Sequence, residues 1–575
     1  MRRAAPVVAM AAVAFVVGAI AGAGHHSSPQ VSLAERFARA WTRGDYAAMY
    51  GDIDKAARRR FSPRAFAAAY EAAARTATET SIEVAGRASE KNGTVELPMR
   101  TRTRLWGTLR EILRMRVEDG SEGPRVRWGR ALVFPGLRTG ESLSRRTELP
   151  RRANLLARDG SVLAEGQASE AGARSSPLGA SASAVVGDVG SISAGRRAQL
   201  EGEGIPPEAI VGTSGLELAL DDRLRGRPGG ELLAGARVIA SAPGEPSGDA
   251  RTTISPRVQR AAVEALGGQL GGIVALEPAS GEILAVAGIG IDDLQPPGST
   301  FKMVTLTAAL EAKVARPSSV FPYETYATLD GVKLENANVE SCGGSLALAF
   351  AVSCNSVFAP LGVKVGASRL VATAESLGFN RPPGVEGAAE SSLPKAQQIS
   401  GELDLGSTAI GQGQVQASAL EMVSVAATIA DGGRRPAVSF VPGHRQRPRV
   451  ITAATARTVR QLMIGVVREG TGTQAAIPGV TVAGKTGTAE LGVPRCPSAE
   501  EHAGSEPKAG EEGEGKQEEA CQGKGKDPQN TDAWFAAFAP ALHPKIAVGV
   551  LLVKDGAGGD TAAPVAKQVL EAGLR

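Results

Sequence analysis

The chain has 575 residues, 43% of them hydrophobic, which is more than one globular core normally holds, so we expect several domains. Its 64 Lys and Arg residues against 60 Asp and Glu residues leave a net charge of only +4. No basic run is interleaved with aromatic residues, and the cluster Arg58–Arg60 is what a solvated helix face carries. Nucleic acid is therefore excluded as the expected partner.

The N-terminus carries two arginines followed by an apolar stretch from Ala4 to Ala23, long enough to span a bilayer as a helix. Positive charge ahead of such a stretch favours a cytoplasmic N-terminus and an exported remainder. The triplet Ala21-Gly22-Ala23 also fits a signal-peptide cleavage site, so an anchor and a cleaved leader both stay open. We interpret residues 1–28 as this segment and expect a single-pass membrane protein whose other domains are extracytoplasmic.

Four cysteines fit an exported chain, because an oxidising exterior permits disulfides. They allow three connectivities, and the favoured one joins neighbours in the sequence, Cys342 to Cys354 and Cys496 to Cys521. Neither pair has C-x-x-C spacing and the five histidines are scattered, so the sequence predicts no metal site.

Residues 30–138 predict a small α+β module, because Leu33, Phe37 and Trp41 share one helical face and alternating stretches with turn signals follow. Residues 139–250 form a second region. It opens with a strand, a turn at Asp159-Gly160 and another strand. An Ala-, Ser- and Gly-rich stretch up to about residue 205 has little apolar periodicity and is interpreted as an irregular connection. Order returns with a predicted helix over 216–223.

Residues 251–575 give the strongest signals. The stretch "SPRVQRAAVEAL" predicts an amphipathic helix, and "GGIVALEPASGEILAVAGI" predicts a hairpin around Ser280-Gly281. After a Pro-Pro-Gly break, "STFKMVTLTAALEA" is helical, so its first residue, Ser299, is expected at the positive end of a helix. Between residues 495 and 528 an acidic, Gly-rich stretch predicts a disordered insertion.

Three short motifs lie in this last region. Ser299 and Lys302, at i and i+3, share one helix face, although S-x-x-K alone is common at inert helix starts. Ser353-Cys354-Asn355 falls where a helix breaks, and Lys485-Thr486-Gly487-Thr488 falls in a β-rich run. Each motif alone has an ordinary structural interpretation. Their occurrence in this order in one exported chain is what makes them informative.

A competing match is the phosphate-binding pattern G-x-x-x-x-G-K-T over residues 479–486. That interpretation requires a strand before the loop and a helix that starts at the lysine. Here Val480–Val482 are themselves predicted as strand, and no helical pattern follows Lys485. An NTPase is therefore disfavoured.

The set S-x-x-K, S-x-N, K-T-G is found in penicillin-binding proteins and class A β-lactamases. With "GGIVALEPASGEILAVAG" and "DAWFAAFAP", the chain resembles a class B penicillin-binding protein, a peptidoglycan D,D-transpeptidase. Residues 30–138 resemble the nuclear-transport-factor-like domain of methicillin-resistance-type members, and 139–250 the pedestal or dimerisation region. The resemblance implies a multidomain α+β fold. Residues 251–575 would form the penicillin-binding/serine β-lactamase-like transpeptidase domain, an antiparallel sheet flanked by helices and an all-helical subdomain.

The resemblance also implies a role for each motif residue. Ser299 would be the nucleophile and Lys302 the base. For Lys302 to be neutral at pH 7, its surroundings must lower its pKa by about 3 units, which corresponds to a free-energy cost of roughly 4 kcal/mol. Ser353 would relay the proton to the leaving amine. Asn355 would hold Lys302 and the substrate backbone. Lys485 would be the second cation that depresses the pKa of Lys302.

The third motif would bind the substrate. Backbone N–H groups of Ser299 and Thr488 would form the oxyanion hole, and Gly487 would let an extended peptide lie beside the strand. Lys485 with the hydroxyls of Thr486 and Thr488 suits the terminal carboxylate of a D-Ala-D-Ala stem peptide or a β-lactam. No metal or cofactor is expected. Further expected partners are the membrane, through the N-terminal helix, and proteins of cell-wall synthesis or division.

Three alternatives stay open. A serine β-lactamase shares the motifs but lacks the extra modules, and no clear E-x-x-L-N base motif is present. A D,D-carboxypeptidase differs only in using water as the acceptor. A catalytically inactive cell-wall sensor or scaffold is disfavoured because all three motifs are intact.

Overall fold

The computed structural model describes residues 28–120, 123–169, 172–443, 446–491 and 530–575. These form two compact units, each discontinuous in sequence. The first joins the described residues up to Arg152 with Ser191–Ile210 and Arg225–Ser247, and the second comprises the described residues of Ala153–Gly190, Val211–Leu224 and Gly248–Arg575. Three predictions fall outside the described residues. They are the anchor at 1–28, apart from residue 28, the pair Cys496 and Cys521, and the whole of the insertion at 495–528.

The N-terminal module is α+β, as the sequence predicts, with four helices and then an antiparallel sheet among its described residues. The elements are α1 Pro29–Thr42, α2 Tyr46–Asp52, α3 Lys55–Arg60, α4 Pro63–Thr76, β1 Glu79–Val84, β2 Ser89–Lys91, β3 Thr94–Thr103, β4 Thr108–Gly120 and β5 Gly123–Val126. The strand order is β1-β3-β4-β5, with β2 also on β3. Serine hydroxyls cap α1 and α4, and alternate residues of β3, such as Val95 and Leu97, enter a core with Phe37 and Phe66.

The middle of the chain contributes short elements to both units. They are β6 Leu143–Glu148, β7 Leu155–Leu156, β8 Val162–Ala168, β9 Arg174–Ser175, α5 Ala180–Val186, β10 Val189–Ser191, α6 Ala194–Gly202, β11 Ile210–Gly212, α7 Gly215–Ala219, α8 Asp221–Leu224, β12 Gly229–Ala234, β13 Arg237–Ala242 and β14 Ala250–Arg251. In the first unit the sheet order is β13-β12-β6; in the second it is β14-β7-β8-β9. The irregular connection predicted up to residue 205 is wrong, because two helices form there.

A buried ion pair explains part of this order. The Arg174 guanidinium, 1% exposed, donates to Glu217 Oε1 at 2.8 Å, to the Gly166 carbonyl at 3.0 Å and to the Ala153 carbonyl at 2.9 Å. Glu217 is fully buried. Small residues around this pair carry no apolar periodicity, so the sequence alone does not reveal that the segment is tied into the fold.

Replacing Arg174 with methionine is expected to lower the free energy of unfolding by about 3–5 kcal/mol, because it breaks the buried ion pair with Glu217. Chemical denaturation measures the change. In the matched double variant Arg174→Met/Glu217→Leu, part of the lost stability is expected to return, since the buried carboxylate is removed together with the guanidinium. A single variant as stable as the double variant would contradict the account.

The C-terminal part is built on a five-stranded antiparallel sheet of order β16-β15-β23-β22-β21. Its elements are α9 Pro256–Leu266, β15 Gly271–Leu276, β16 Ile283–Gly288, α10 Lys302–Glu311, β17 Val320–Glu324, β18 Tyr326–Leu329, β19 Val332–Glu335, β20 Cys342–Ser345, α11 Leu346–Ala351, α12 Asn355–Val365, α13 Ala367–Leu377, α14 Gly401–Ala409, α15 Ala419–Ala430, α16 Ala453–Glu469, β21 Ala483–Glu490, β22 Thr531–Ala539, β23 Ile546–Leu552 and α17 Ala562–Leu574. The amphipathic helix predicted in "SPRVQRAAVEAL" and the β15–β16 hairpin are confirmed.

Both faces of this sheet are covered, so most residues of its strands are buried. Ile273 and Ala275 of β15 face a core with α9 and α17, whereas Val274 and Leu276 face the larger core with α10, α15 and α16. Strand β21 is left at the sheet's edge. In the part of the chain covered by the structure, no single helix reaches the length and apolarity needed to cross a membrane; α12 and α13, bent by 100°, do so only as a pair.

Candidate active site

The first motif lies where the chain comes closest to β21. Ser299 sits in a short 3₁₀ helix, Gly298–Phe301, that leads directly into α10. Gly298 has φ +50°, and a Cβ there would lie 2.5 Å from the carbonyl oxygen of Thr488, so glycine is required for this approach. Ser299 is half-buried, and its hydroxyl has no hydrogen-bond partner among the described residues. The serine is therefore free to react.

Lys302 lies one turn further on and is fully buried. Its Nζ donates to the carbonyl oxygen of Ser353 at 2.6 Å, to Asn355 Oδ1 at 2.6 Å and to Ser353 Oγ at 3.3 Å. Burial lowers the pKa of Lys302 well below its ordinary value, and the nearby charge of Lys485 lowers it further. The side chain is thus pushed toward the neutral form that a base requires.

Ser353 joins the two lysines. It occupies the break between α11 and α12 with φ +65°, which is uncommon for a residue other than glycine and directs its carbonyl and its hydroxyl at Lys302. Its Oγ accepts from Lys485 Nζ at 2.9 Å as well as from Lys302 Nζ at 3.3 Å. A disulfide joins the next residue, Cys354, to Cys342 on β20 and ties this break to the neighbouring strand.

Asn355 begins α12 and is held from both ends of its amide group. Its Oδ1 accepts from Lys302, and its Nδ2 donates to the backbone carbonyl of Glu335 at 2.8 Å. The sequence gives no signal for Glu335, because only its backbone oxygen is used.

Lys485 projects from β21 opposite Ala536 and is fully buried. Its Nζ donates to Ser353 Oγ at 2.9 Å and to the carbonyl oxygen of Thr486 at 2.9 Å. Burial lowers its pKa to about 7. Residues 480–482, predicted as strand, lie just before β21, which begins at Ala483. Lys485 itself lies within this strand. A phosphate-binding loop needs a helix that starts at the lysine, and the described residues here form none.

The sequence did not reveal Thr471, which contacts the third motif. Its Oγ1 lies 2.5 Å from Thr486 Oγ1 and 3.3 Å from the carbonyl oxygen of Ala351, at the end of α11. It lies two residues after the end of α16 in "EGTGT", a stretch with no catalytic signature. Thr471 therefore fixes the orientation of the Thr486 hydroxyl.

Replacing Thr471 with valine is expected to lower the second-order rate of β-lactam acylation about tenfold, because one hydrogen bond that orients Thr486 is lost. Stopped-flow acylation measures it. The matched control is Thr473→Val, an exposed threonine two residues away. Equal rates in the two variants would contradict a positioning role.

The remaining motif residues line the sheet's open edge. A Cβ at Gly487 would lie 2.8 Å from the carbonyl oxygen of Pro297 and 2.9 Å from Trp534 Cβ, so only glycine fits between the serine loop and β22. Thr488 is half-buried, and its Oγ1 accepts from the Gly558 N–H at 3.4 Å. One hydrogen-bonded network connects Lys302, Ser353, Asn355, Lys485 and Thr486, and the Gly298–Thr488 approach brings Ser299 beside it.

Comparison with known families decides the assignment. Residues 271–571 match the penicillin-binding protein transpeptidase domain. The chain belongs to this family. Residues 29–141 match the NTF2-like N-terminal transpeptidase domain and 167–237 the penicillin-binding protein dimerisation domain.

Relatives of this penicillin-binding protein agree. The peptidoglycan D,D-transpeptidase PbpA of Mycobacterium tuberculosis is 32% identical over 404 residues, which cover 57% of this chain and 73% of the relative. PbpA of Mycolicibacterium smegmatis is 32% identical over 63% of this chain and 80% of the relative. The structure of M. tuberculosis penicillin-binding protein A as an imipenem acyl-enzyme complex matches with a TM-score of 0.54 and 26% identity, covering 74% of this chain and 99% of that one. The predicted enzyme class, a serine-type D,D-transpeptidase, is confirmed.

Proposed function

We propose that Ser299 attacks the penultimate D-Ala carbonyl of a peptidoglycan stem peptide, releases the terminal D-Ala, and passes the acyl group to an amine of a neighbouring stem. β-Lactams would acylate the same hydroxyl. The single observation that carries the proposal is Ser353 Oγ, which accepts from both Lys302 Nζ and Lys485 Nζ and so links a base whose pKa is lowered by burial to a cation suited to a carboxylate. The acyl-enzyme structure of the M. tuberculosis relative supports it.

The proton transfers follow from this geometry. As Ser299 Oγ bonds to the carbonyl carbon, its proton passes to neutral Lys302 Nζ. The hydrogen bonds of Ser353 then provide a path by which a proton reaches the nitrogen of the departing D-Ala as the peptide bond breaks. In the second half-reaction the acceptor amine attacks the ester, its proton returns to Ser299 Oγ, and the new amide bond forms.

Charge on the reacting oxygen would be stabilised by the backbone N–H groups of Ser299 and Thr488. Removing one such donor typically costs about 2.7–4 kcal/mol of transition-state stabilisation. The close approach of Gly298 to Thr488 supports this pairing of donors. The open edge of β21 would add the stem peptide as a further strand beside Gly487.

A pH profile tests the roles of the two lysines. Lys302 must be neutral and Lys485 protonated, so the acylation efficiency of the free enzyme is expected to fall as pH rises through about 7, where Lys485 loses its proton. In Lys485→Arg the cation persists, so this alkaline fall should move to higher pH even if the maximum rate is lower. An alkaline limb that stays near pH 7 in the variant would contradict the assignment.

Intact-mass spectrometry of the full chain with penicillin, followed over time with peptide mapping, tests the proposal. A long-lived adduct on Ser299 is the expected result. Rapid drug consumption without accumulated adduct would instead identify a β-lactamase. A stem-peptide donor given with and without an amine acceptor separates cross-linking from carboxypeptidase activity. If neither penicillin nor the stem peptide reacts, the inactive sensor or scaffold is the interpretation that remains.

For the whole chain we propose residues 1–28 as membrane anchor, 30–138 as the nuclear-transport-factor-like domain, 139–250 as the pedestal, and 251–575 as an extracytoplasmic transpeptidase domain. Proteins of cell-wall synthesis or division are the proposed macromolecular partners. The matches of residues 29–141 and 167–237 to N-terminal and dimerisation domains support this order.

A further inference from the structure

The outer face of the sheet β1–β5 in the N-terminal module is strongly basic. Odd-numbered residues of β3 and β4 point into the core, and the register turns their even-numbered neighbours outward. With the paired residues of β1, β2 and β5, and with Arg127, which follows β5 and donates its N–H to the Arg116 carbonyl, the described part of this outer face carries eight basic and three acidic side chains. They are Lys91, Arg100, Arg102, Arg110, Arg114, Arg116, Arg125 and Arg127 against Glu83, Glu96 and Glu118.

The three carboxylates are already engaged. Glu83 binds Arg100 at 2.7 Å, Glu96 binds Arg114 at 2.8 Å, and Glu118 lies 3.2 Å from Arg127. Among the described residues of this face, basic side chains therefore exceed acidic ones by five. Most of these side chains are exposed; Arg102, Arg116 and Arg127 are 58–65% accessible.

The arrangement is unfavourable for the module alone. Arg100 and Arg110 are directly opposite each other in the β3–β4 register, and like charges at that position destabilise a sheet. Among the described residues, Arg110 has no acidic partner. An anionic surface laid against the sheet would relieve this repulsion.

We propose that this arginine face docks on the anionic lipid headgroups of the membrane that holds the N-terminal segment. Only four residues separate Ala23, the end of the apolar stretch, from Ser28, where the described chain begins. Ser28 hydrogen-bonds Glu90 of β2, and Gln30 Nε2 donates to Asp119 Oδ1 at 3.1 Å, so the chain leaves the module at a margin of the same sheet. Basic residues near an anionic bilayer act as a second attachment beside a hydrophobic one.

This basic face could not be recognised from the sequence alone. The sequence contains no basic run that would mark an anionic partner, because alternation along β3 and β4 spreads the arginines over every second position. Only the pairing of neighbouring strands gathers them on one surface.

Arginine footprinting of the full chain reconstituted in vesicles tests the proposal. The probe is a neutral arginine-specific dicarbonyl, read by peptide mass spectrometry, in phosphatidylcholine vesicles and in mixed phosphatidylcholine–phosphatidylglycerol vesicles. We expect Arg102, Arg110 and Arg116 to react at least about threefold more slowly in the anionic vesicles, and high salt to remove this protection. Arg59 and Arg64, exposed on the helical side, are the matched controls and should react equally in both.

Equal reactivity of the face in both vesicle types would overturn the proposal. So would protection by a soluble poly(glycerol phosphate) in neutral vesicles without protection by the anionic bilayer, which would assign the face to a free anionic polymer. In Arg110→Gln/Arg114→Gln the remaining arginines should lose their protection, whereas Arg59→Gln/Arg64→Gln should retain it. Because β-lactam acylation is not read here, the outcome is independent of the proposed catalytic roles.

Discussion

Replacing Ser299 with alanine is expected to abolish covalent labelling by a fluorescent penicillin. The reason is chemical: in the described part of the chain the Ser299 hydroxyl makes no hydrogen bond, whereas Ser353 Oγ accepts from both Lys302 and Lys485. Gel fluorescence after incubation measures labelling. The fold should be unchanged, because the half-buried Ser299 hydroxyl makes no hydrogen bond within the described part of the chain.

Ser353→Ala is the matched control for this prediction. It removes a hydroxyl from the same site but leaves the nucleophile, so labelling should slow by about 10²–10⁴-fold and still map to Ser299. Undiminished labelling of Ser299→Ala, at any other serine, would sink the assignment of the nucleophile.

Lys302→Met is expected to reduce the acylation rate by about 10³-fold while leaving the protein at least as stable. General-base catalysis contributes 10²–10⁴-fold, and Lys302 is the buried amine whose lowered pKa suits it to this task. Exchanging a fully buried lysine for an apolar side chain of similar length removes the cost of desolvating the amine, and this gain offsets the hydrogen bonds lost by the half-buried Ser353 and Asn355. Stopped-flow acylation and thermal denaturation measure the two effects.

Lys364→Met, at an exposed position near the end of α12, controls for loss of a lysine and should change neither quantity. The decisive feature is the opposite direction of the two effects in Lys302→Met. A variant that loses activity only in proportion to lost stability would point to a structural lysine instead of a base.

The chemistry of the site was predictable because its reacting residues fall in short, contiguous sequence motifs. Ser299 and Lys302 are three residues apart, and Lys485 to Thr488 follow one another on a single strand. Their order along the chain identifies the family even though no single motif does. The helix break at Ser353 was also predictable, since apolar residues surround a polar triplet.

What the sequence did not reveal depends on contacts between distant segments. Thr471 acts through one hydroxyl and Glu335 through one backbone oxygen, so neither leaves a pattern. Arg174 lies in a stretch without apolar periodicity and is buried by a partner 43 positions away. The arginine face needs the β3–β4 register, which the composition of either strand does not contain.

The central claim is that a Ser299 acyl-enzyme is resolved by an amine. The most direct measurement is mass spectrometry of the full chain incubated with a D-Ala-D-Ala stem-peptide donor and a second stem bearing a free amine, with Ser299→Ala in parallel. The account predicts a transient adduct on Ser299 and a cross-linked dimer that has lost one D-Ala, with neither in the variant. A cross-linked product formed equally by Ser299→Ala, or a Ser299 adduct that only water resolves, would contradict it.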